Sequence, residues 1–193
     1  KKIGLFLSDV SGHGIPAAFI TSMLKSFIIQ AGELRKNPGE LLNYLNKGLY
    51  NQTSGNFITA FYGIFDPITN AFHYANAGHN LPYIIHYDKV EMLPDKNKGI
   101  PLAIFEETGN YKNHEITLLK HDKLFLYTDG LTEAIPNHSI DKEKSFENVI
   151  EQVFLDNHSL NAKGFLDKVY EKLVTFRGSD SFEDDVCMIC IAL

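Results

Sequence analysis

The apolar residues of this chain fall into short runs separated by turn-forming residues. Residues 3 to 8 read as a strand that ends at Asp9, and Ser11 to Gly14 read as a loop. Pro16 suits the first turn of a helix that Ala17 to Ile29 continue. That helix is apolar nearly all round, so it is expected to be well buried. A second helix is expected to start at Asn37-Pro38-Gly39-Glu40, with Asn37 as the cap and Glu40 at the third position. Leu41, Leu42, Leu45 and Leu49 give it an apolar stripe.

Aromatic and β-branched residues then take over. Runs 57–65 and 71–77 predict a hairpin across Asp66-Pro67-Ile68-Thr69-Asn70, and runs 81–87 and 90–93 predict a second around Asp88-Lys89. Residues 94 to 114 are polar and broken by Gly and Pro, so they read mostly as loop. Runs 114–119 and 123–129 predict strands around a tight His121-Asp122 turn. Helices are expected over 145–155 and 159–176. In the second, Phe165, Leu166, Val169, Tyr170, Leu173 and Val174 share a face. The run 185–193 closes the chain as a strand. Strands that cluster, instead of alternating with helices, predict an α+β fold with antiparallel sheets.

The 193 residues suffice for one domain, or at most two small ones, and a 44% hydrophobic content supplies a core. The net charge is −6, from 18 basic and 24 acidic residues, and Arg35 and Arg177 are the only arginines. No basic stripe is visible, so nucleic acid is not an expected partner. No apolar run approaches the ~18 to 20 residues of a membrane span, so these residues are not expected to touch a membrane. Cys187 and Cys190 form one C-x-x-C pair without a second. Three residues apart on a strand they would point to opposite faces, so they read as small core residues in a reducing cytoplasm. There is no initiator Met, and Lys1-Lys2 leads straight into a strand. The chain therefore reads as part of a longer cytoplasmic protein, whose remainder could include a membrane-bound sensor.

Three strand-like runs begin or end with aspartate: Asp9, Asp129, and the pair Asp184 and Asp185. An isolated charge beside apolar residues is costly. Taken singly, each reads better as a cap or turn residue. Taken together, they suggest a hard-oxygen site for Mg²⁺ or Mn²⁺, with Gly12, Gly14 and Gly130 letting the backbone come close.

The runs "SDVSGHGIPAAF", "YANAGHNLPYII", "GIPLAIF", "LFLYTDGLTEA" and "DDVCMICI" occur in that order. Together they resemble the SpoIIE/RsbU branch of the bacterial PPM-type, metal-dependent serine/threonine phosphatases, over essentially residues 1–193. The resemblance implies a four-layer α-β-β-α sandwich, two antiparallel sheets flanked by helices. It implies two Mn²⁺ or Mg²⁺ ions that activate a water for hydrolysis of phosphoserine. By the same likeness Asp9 would bridge the ions, the Val10 carbonyl would bind one, and Asp129 and Asp184 would hold the other. Asp185 would be the lesser candidate. The implied partner is a phosphorylated signalling protein resembling an anti-sigma-factor antagonist. Relatives usually carry an acidic Gly-Gly-Asp-like strand before the first of these motifs. None stands here, so one acidic contribution to the metals and the first strand are expected to be missing. The open edge would then favour a homodimer or an exchanged strand.

Other residues admit quieter readings. His13 could donate a proton to a leaving serine oxygen, but a loop-ordering hydrogen bond is the better reading. His79 and Asn80 read as loop architecture, and Glu133 as a cap or solvent-facing group. Phe61, Tyr62, Phe65, Phe72 and Tyr74 read as core or sheet-face aromatics. His73, His86, His114, His121, His138 and His158 show no ligand spacing. A catalytically weak regulatory binding module of the same fold is the alternative function. A nucleotide-binding loop at Ser11 to Gly14 is a weaker one, because no Lys-Ser/Thr follows it.

Overall fold

The computed structural model describes residues 1–94, 99–106, 111–137 and 144–193. Parts of the expected 94–114 loop, at 95–98 and 107–110, lie outside them, as does His138. In chain order the elements are β1 (Ile3–Val10), α1 (Ile15–Gln30), a 3-10 helix (Gly32–Lys36), α2 (Pro38–Leu49), β2 (Ile58–Asp66) and β3 (Ala71–Ala77). Then come β4 (Tyr83–Ile85), β5 (Val90–Met92), β6 (His114–Thr117), β7 (Lys123–Tyr127) and α3 (Asp129–Thr132). The chain ends with α4 (Glu147–Asn157), α5 (Ala162–Arg177) and β8 (Met188–Ala192).

These elements form two compact units. One is Lys1–His79 with Asp95–Leu118, the other Asn80–Pro94 with Leu119–Leu193. Each contains one four-stranded antiparallel sheet, ordered β1-β2-β3-β6 in the first and β5-β4-β7-β8 in the second. The expected α+β class with two antiparallel sheets and attendant helices is what is observed.

In the first unit α2 forms as its sequence dictates. The Asn37 side chain accepts from the Glu40 amide at 3.1 Å, and Pro38 opens the first turn. Leu41, Leu42, Leu45 and Leu49 are fully buried against Ile58, Ala60, Tyr62 and Ile64 of β2 and Ala75 and Ala77 of β3. Alternation along the strands sends Phe61, Phe72 and Tyr74 to the other face. There they stack, with the Tyr74 ring 5.7 Å from both phenyl rings. Gly63 makes room for them, since a Cβ at that position would lie 2.2 Å from the Phe72 ring.

Helix α1 corrects one expectation. Only Ile20 and Leu24 are buried, while Ile15 and Phe19 are 74% and 67% exposed. The face that reaches the core is one stripe, and apolar residues around the rest of the helix remain in solvent.

In the second unit α4 and α5 lay Ile150, Phe154, Phe165, Val169 and Leu173 over Tyr83, Phe125 and Tyr127. Helix α5 starts at Asn161, whose side chain accepts from the Gly164 amide at 2.8 Å, and stops at Gly178 in the left-handed region (φ 70°). The tight turn before β7 exists, with Asp122 N donating to Leu119 O at 3.0 Å. Its two strands nonetheless do not pair with each other. β6 joins β3 in the first sheet, and β7 lies between β4 and β8 in the second. The last strand is shorter than expected and leaves Asp184, Asp185 and Cys187 in the preceding loop. Cys187 is exposed and is not the core residue expected; Cys190 is half-buried. Among the described residues no helix is long and apolar enough to cross a membrane.

Replacing Leu45 with Ala should cost ~2–5 kcal/mol in urea unfolding, because its site is fully buried. Ile29→Ala, at a position 63% exposed, should stay within ~0.5 kcal/mol. Burial pushes the Cys190 thiol up to about 11. A raised value means less thiolate at neutral pH, so alkylation at pH 8 should mark Cys187 and spare Cys190. Mass spectrometry should show Cys190 reacting only as the pH approaches that value.

Candidate metal-binding site

In the first unit, β1 carries Asp9 and Val10 at its end. The register sets Leu7 opposite Phe61 and Asp9 opposite Thr59. Asp9 therefore shares the aromatic face of the sheet, away from α1 and α2, while Val10 packs toward the helical core. The following loop is closed by a two-way clasp. Ser11 N donates to Phe57 O at 2.9 Å, and Phe57 N donates to Ser11 Oγ at 2.8 Å. Gly12 and Gly14 hold φ values of 88° and 78°, which favour glycine over any other residue. The loop is thus ordered by Ser11, and His13 stands exposed.

His79 is a loop residue, as expected. It is buried, its Nδ1 is 2.8 Å from Thr59 Oγ1, and its backbone is bracketed by one side chain. That side chain is Asn76, which accepts from His79 N and donates to His79 O, both at 2.9 Å. Asn76 sits inside a strand, where sequence reading looks for core residues and not for a loop's partner.

In the second unit, Asp129 does not end a strand but begins the single turn α3, and Asp184 and Asp185 lie in an exposed loop. The two acidic segments are brought side by side. The Thr128 hydroxyl donates to Asp185 O at 2.8 Å and accepts from Cys187 N at 2.9 Å, and Thr128 N donates to Cys187 O at 3.1 Å. The Asp184–Asp185 backbone runs directly over Gly130, where a Cβ would meet Asp185 O at 2.6 Å. Glycine is required there by that approach.

The loop leading to Asp184 is held from its other end. Arg177 is buried, donates from Nη2 to Ser181 O at 2.8 Å and lies 5.3 Å from the Phe182 ring centre. A groove of about 450 Å³ opens beside it, lined by Gly130, Glu133, Glu147, Arg177, Glu183 and Asp184. Glu133, expected as a cap or solvent-facing group, is exposed on its wall. Sequence reading missed Thr128 and Arg177. The available signals were weak: a hydroxyl just after an apolar strand, and a cation at the end of an amphipathic helix.

The donors suit a hard cation. Asp129 Oδ1 accepts from Gly130 N at 3.1 Å, and Asp184 Oδ1 accepts from Asp185 N at 2.8 Å. Neither carboxylate is paired with a Lys or Arg among the described residues, so each keeps an oxygen for a ligand. Neither unit by itself gathers three His, Cys, Asp or Glu side chains into a cation cage among the described residues. Asp129 and Asp184 are neighbours in the second unit, and Asp9 with Val10 belongs to the first.

The family model described as Stage II sporulation protein E (SpoIIE) matches residues 1–193. The phosphoserine phosphatase RsbU of Bacillus subtilis is 30% identical over 184 residues, which are 94% of this chain and 54% of that protein. The chain thus spans about half the length of that relative. Among solved structures, the RsbU and RsbW domains of Rv1364c from Mycobacterium tuberculosis superpose with a TM-score of 0.78 at 24% identity, over 98% of this chain and 51% of that one. The SiaA-PP2C domain of Pseudomonas aeruginosa gives 0.80 at 18% identity, over 100% of this chain and 79% of that one. The fold is that of PP2C-type domains.

Gly130→Ala should force the acidic loop off α3 and lower stability by ~1–3 kcal/mol in urea unfolding. An unchanged midpoint would show that the Asp185 carbonyl is not held against Gly130.

Proposed function

The chain belongs to the Stage II sporulation protein E family, and from that premise we propose that it is a metal-dependent phosphatase that hydrolyses phosphoserine on a signalling protein. The observation that carries this reading is that the Asp184–Asp185 backbone lies over Gly130, next to Asp129, and that neither Asp129 nor Asp184 is paired with a Lys or Arg among the described residues. Carboxylates on adjoining segments without cationic partners keep oxygens for an ion. Their all-oxygen chemistry favours Mn²⁺ or Mg²⁺.

In this proposal Asp9, the Val10 carbonyl, Asp129 and Asp184 would hold the metal, with Asp185 as the lesser candidate. When bound, the metal supplies an activated water and neutralises charge on the phosphoryl group. The protein's own part is to present these oxygens at fixed positions. The Ser11–Phe57 clasp closes the loop after Val10, and Thr128 keeps the Asp184 loop beside Asp129. His13 is exposed in the glycine loop that follows Val10 and is assigned a minor role, as a proton donor to the leaving oxygen.

The proposed substrate is a phosphorylated protein resembling an anti-sigma-factor antagonist, met in the cytoplasm. Support comes from the name of RsbU, a phosphoserine phosphatase, and from the RsbW domain present beside an RsbU domain in the Mycobacterium tuberculosis structure.

Asp129→Asn keeps the size of the side chain and removes its charge. In the natural full-length chain at saturating Mn²⁺, it should slow hydrolysis of a phosphoserine protein by at least ~10²-fold, about 2.7 kcal/mol of barrier. His13→Ala should cost less. The melting temperature of Asp129→Asn without metal should stay near that of the wild type, since Asp129 is only half-buried. Equal turnover of Asp129→Asn and wild type would rule out the metal assignment.

A further inference from the structure

We infer that Thr128 is a positioning residue that sets the Asp184 loop against Asp129 before any ion arrives. The inference rests on the proposed metal role of those two aspartates. The β7–β8 ladder ends at the pair Tyr127 and Met188. Backbone pairing beyond it continues through one bond, from Thr128 N to Cys187 O at 3.1 Å. The side chain adds two more. Its O–H donates to Asp185 O at 2.8 Å, and its oxygen accepts from Cys187 N at 2.9 Å.

One hydroxyl thereby holds the groups on both sides of Val186, immediately after Asp184. Thr128 itself immediately precedes Asp129. Thr128 is buried, whereas Asp184, Asp185 and Cys187 are exposed. The anchor is shielded from water and the loop it holds is not. Without the hydroxyl, Asp185 O and Cys187 N would turn to solvent and the loop could leave Gly130. Asp184 would then have to be recovered by the ion at the expense of affinity.

Valine has the shape of threonine without the hydrogen bonds, and serine keeps the bonds. Mn²⁺ binding to the natural full-length chain is measured by calorimetry for wild type, Thr128→Val, Thr128→Ser, Asp129→Asn and Asp184→Asn. Thr128→Val should weaken binding by at least ~10-fold, and Thr128→Ser should stay within ~3-fold of wild type. A merely structural threonine would lower the melting temperature in EDTA and leave Mn²⁺ affinity unchanged, and that result overturns the inference. A second measurement needs no variant. Hydrogen exchange of the Cys187 amide in the wild type should be as slow in EDTA as with Mn²⁺. Free exchange in EDTA that slows only with Mn²⁺ also overturns the inference, because the ion would then be ordering the loop. Wild-type Mn²⁺ affinity in both aspartate variants is a different failure, that of the metal reading itself. If the aspartate variants lose affinity and Thr128→Val does not, only the role of Thr128 fails.

Discussion

Side chains on a strand must alternate, and the placement of the candidate chemistry in the first unit depends on that constraint. A strand that gives one residue to a helical core must turn the next to the opposite face. Ile58, Ala60, Tyr62 and Ile64 pack under α2, so Thr59 and Phe61 face away from it. The register with β1 then carries Leu7 and Asp9 to that same face, and Val10 to the helical side. A one-residue slip would exchange the two sets, placing Asp9 among leucines. Burial of the α2 stripe therefore does more than stabilise the first unit. It specifies which face receives the carboxylate.

In the second unit the acidic residues are governed by hydrogen bonds from buried side chains to the loop backbone. Asp184 and Asp185 lie outside β8, where the ladder no longer restrains them. The loop is instead held at both ends by buried side chains, Thr128 at Asp185 and Cys187, and Arg177 at Ser181. Each satisfies a carbonyl that would otherwise depend on water. Gly130 completes the arrangement by omission, since any side chain there would occupy the path of the Asp185 carbonyl. The result is an exposed acidic loop whose backbone is held beside Asp129 by buried anchors.

The groove at this corner is lined largely by acidic side chains, whereas the core of the unit is aromatic. Tyr83 and Tyr127 stack 5.3 Å apart in the core beneath it, and burial holds the Tyr127 hydroxyl well above the usual phenol range. Neither phenol is suited to proton transfer near neutral pH.

Several features were legible in the residues alone because their signals are local. The Asn37 cap with Glu40, the four-leucine stripe and the two hairpins depend on side chains within a few positions of each other, and all are present as read. The acidic residues and glycines were also visible as oddities beside apolar runs, and the ordered motifs already indicated the family. Tertiary structure decided what local signals cannot carry. A turn before Asp122 says that the chain reverses, but the edges available to β6 and β7 decided that they enter different sheets. Apolar residues all round α1 say nothing about how many faces find a partner, and only one does. The roles of Asn76, Thr128 and Arg177 arise from carbonyls and amides brought close by folding. A hydrogen bond reads distance in space, and a sequence records only distance along the chain.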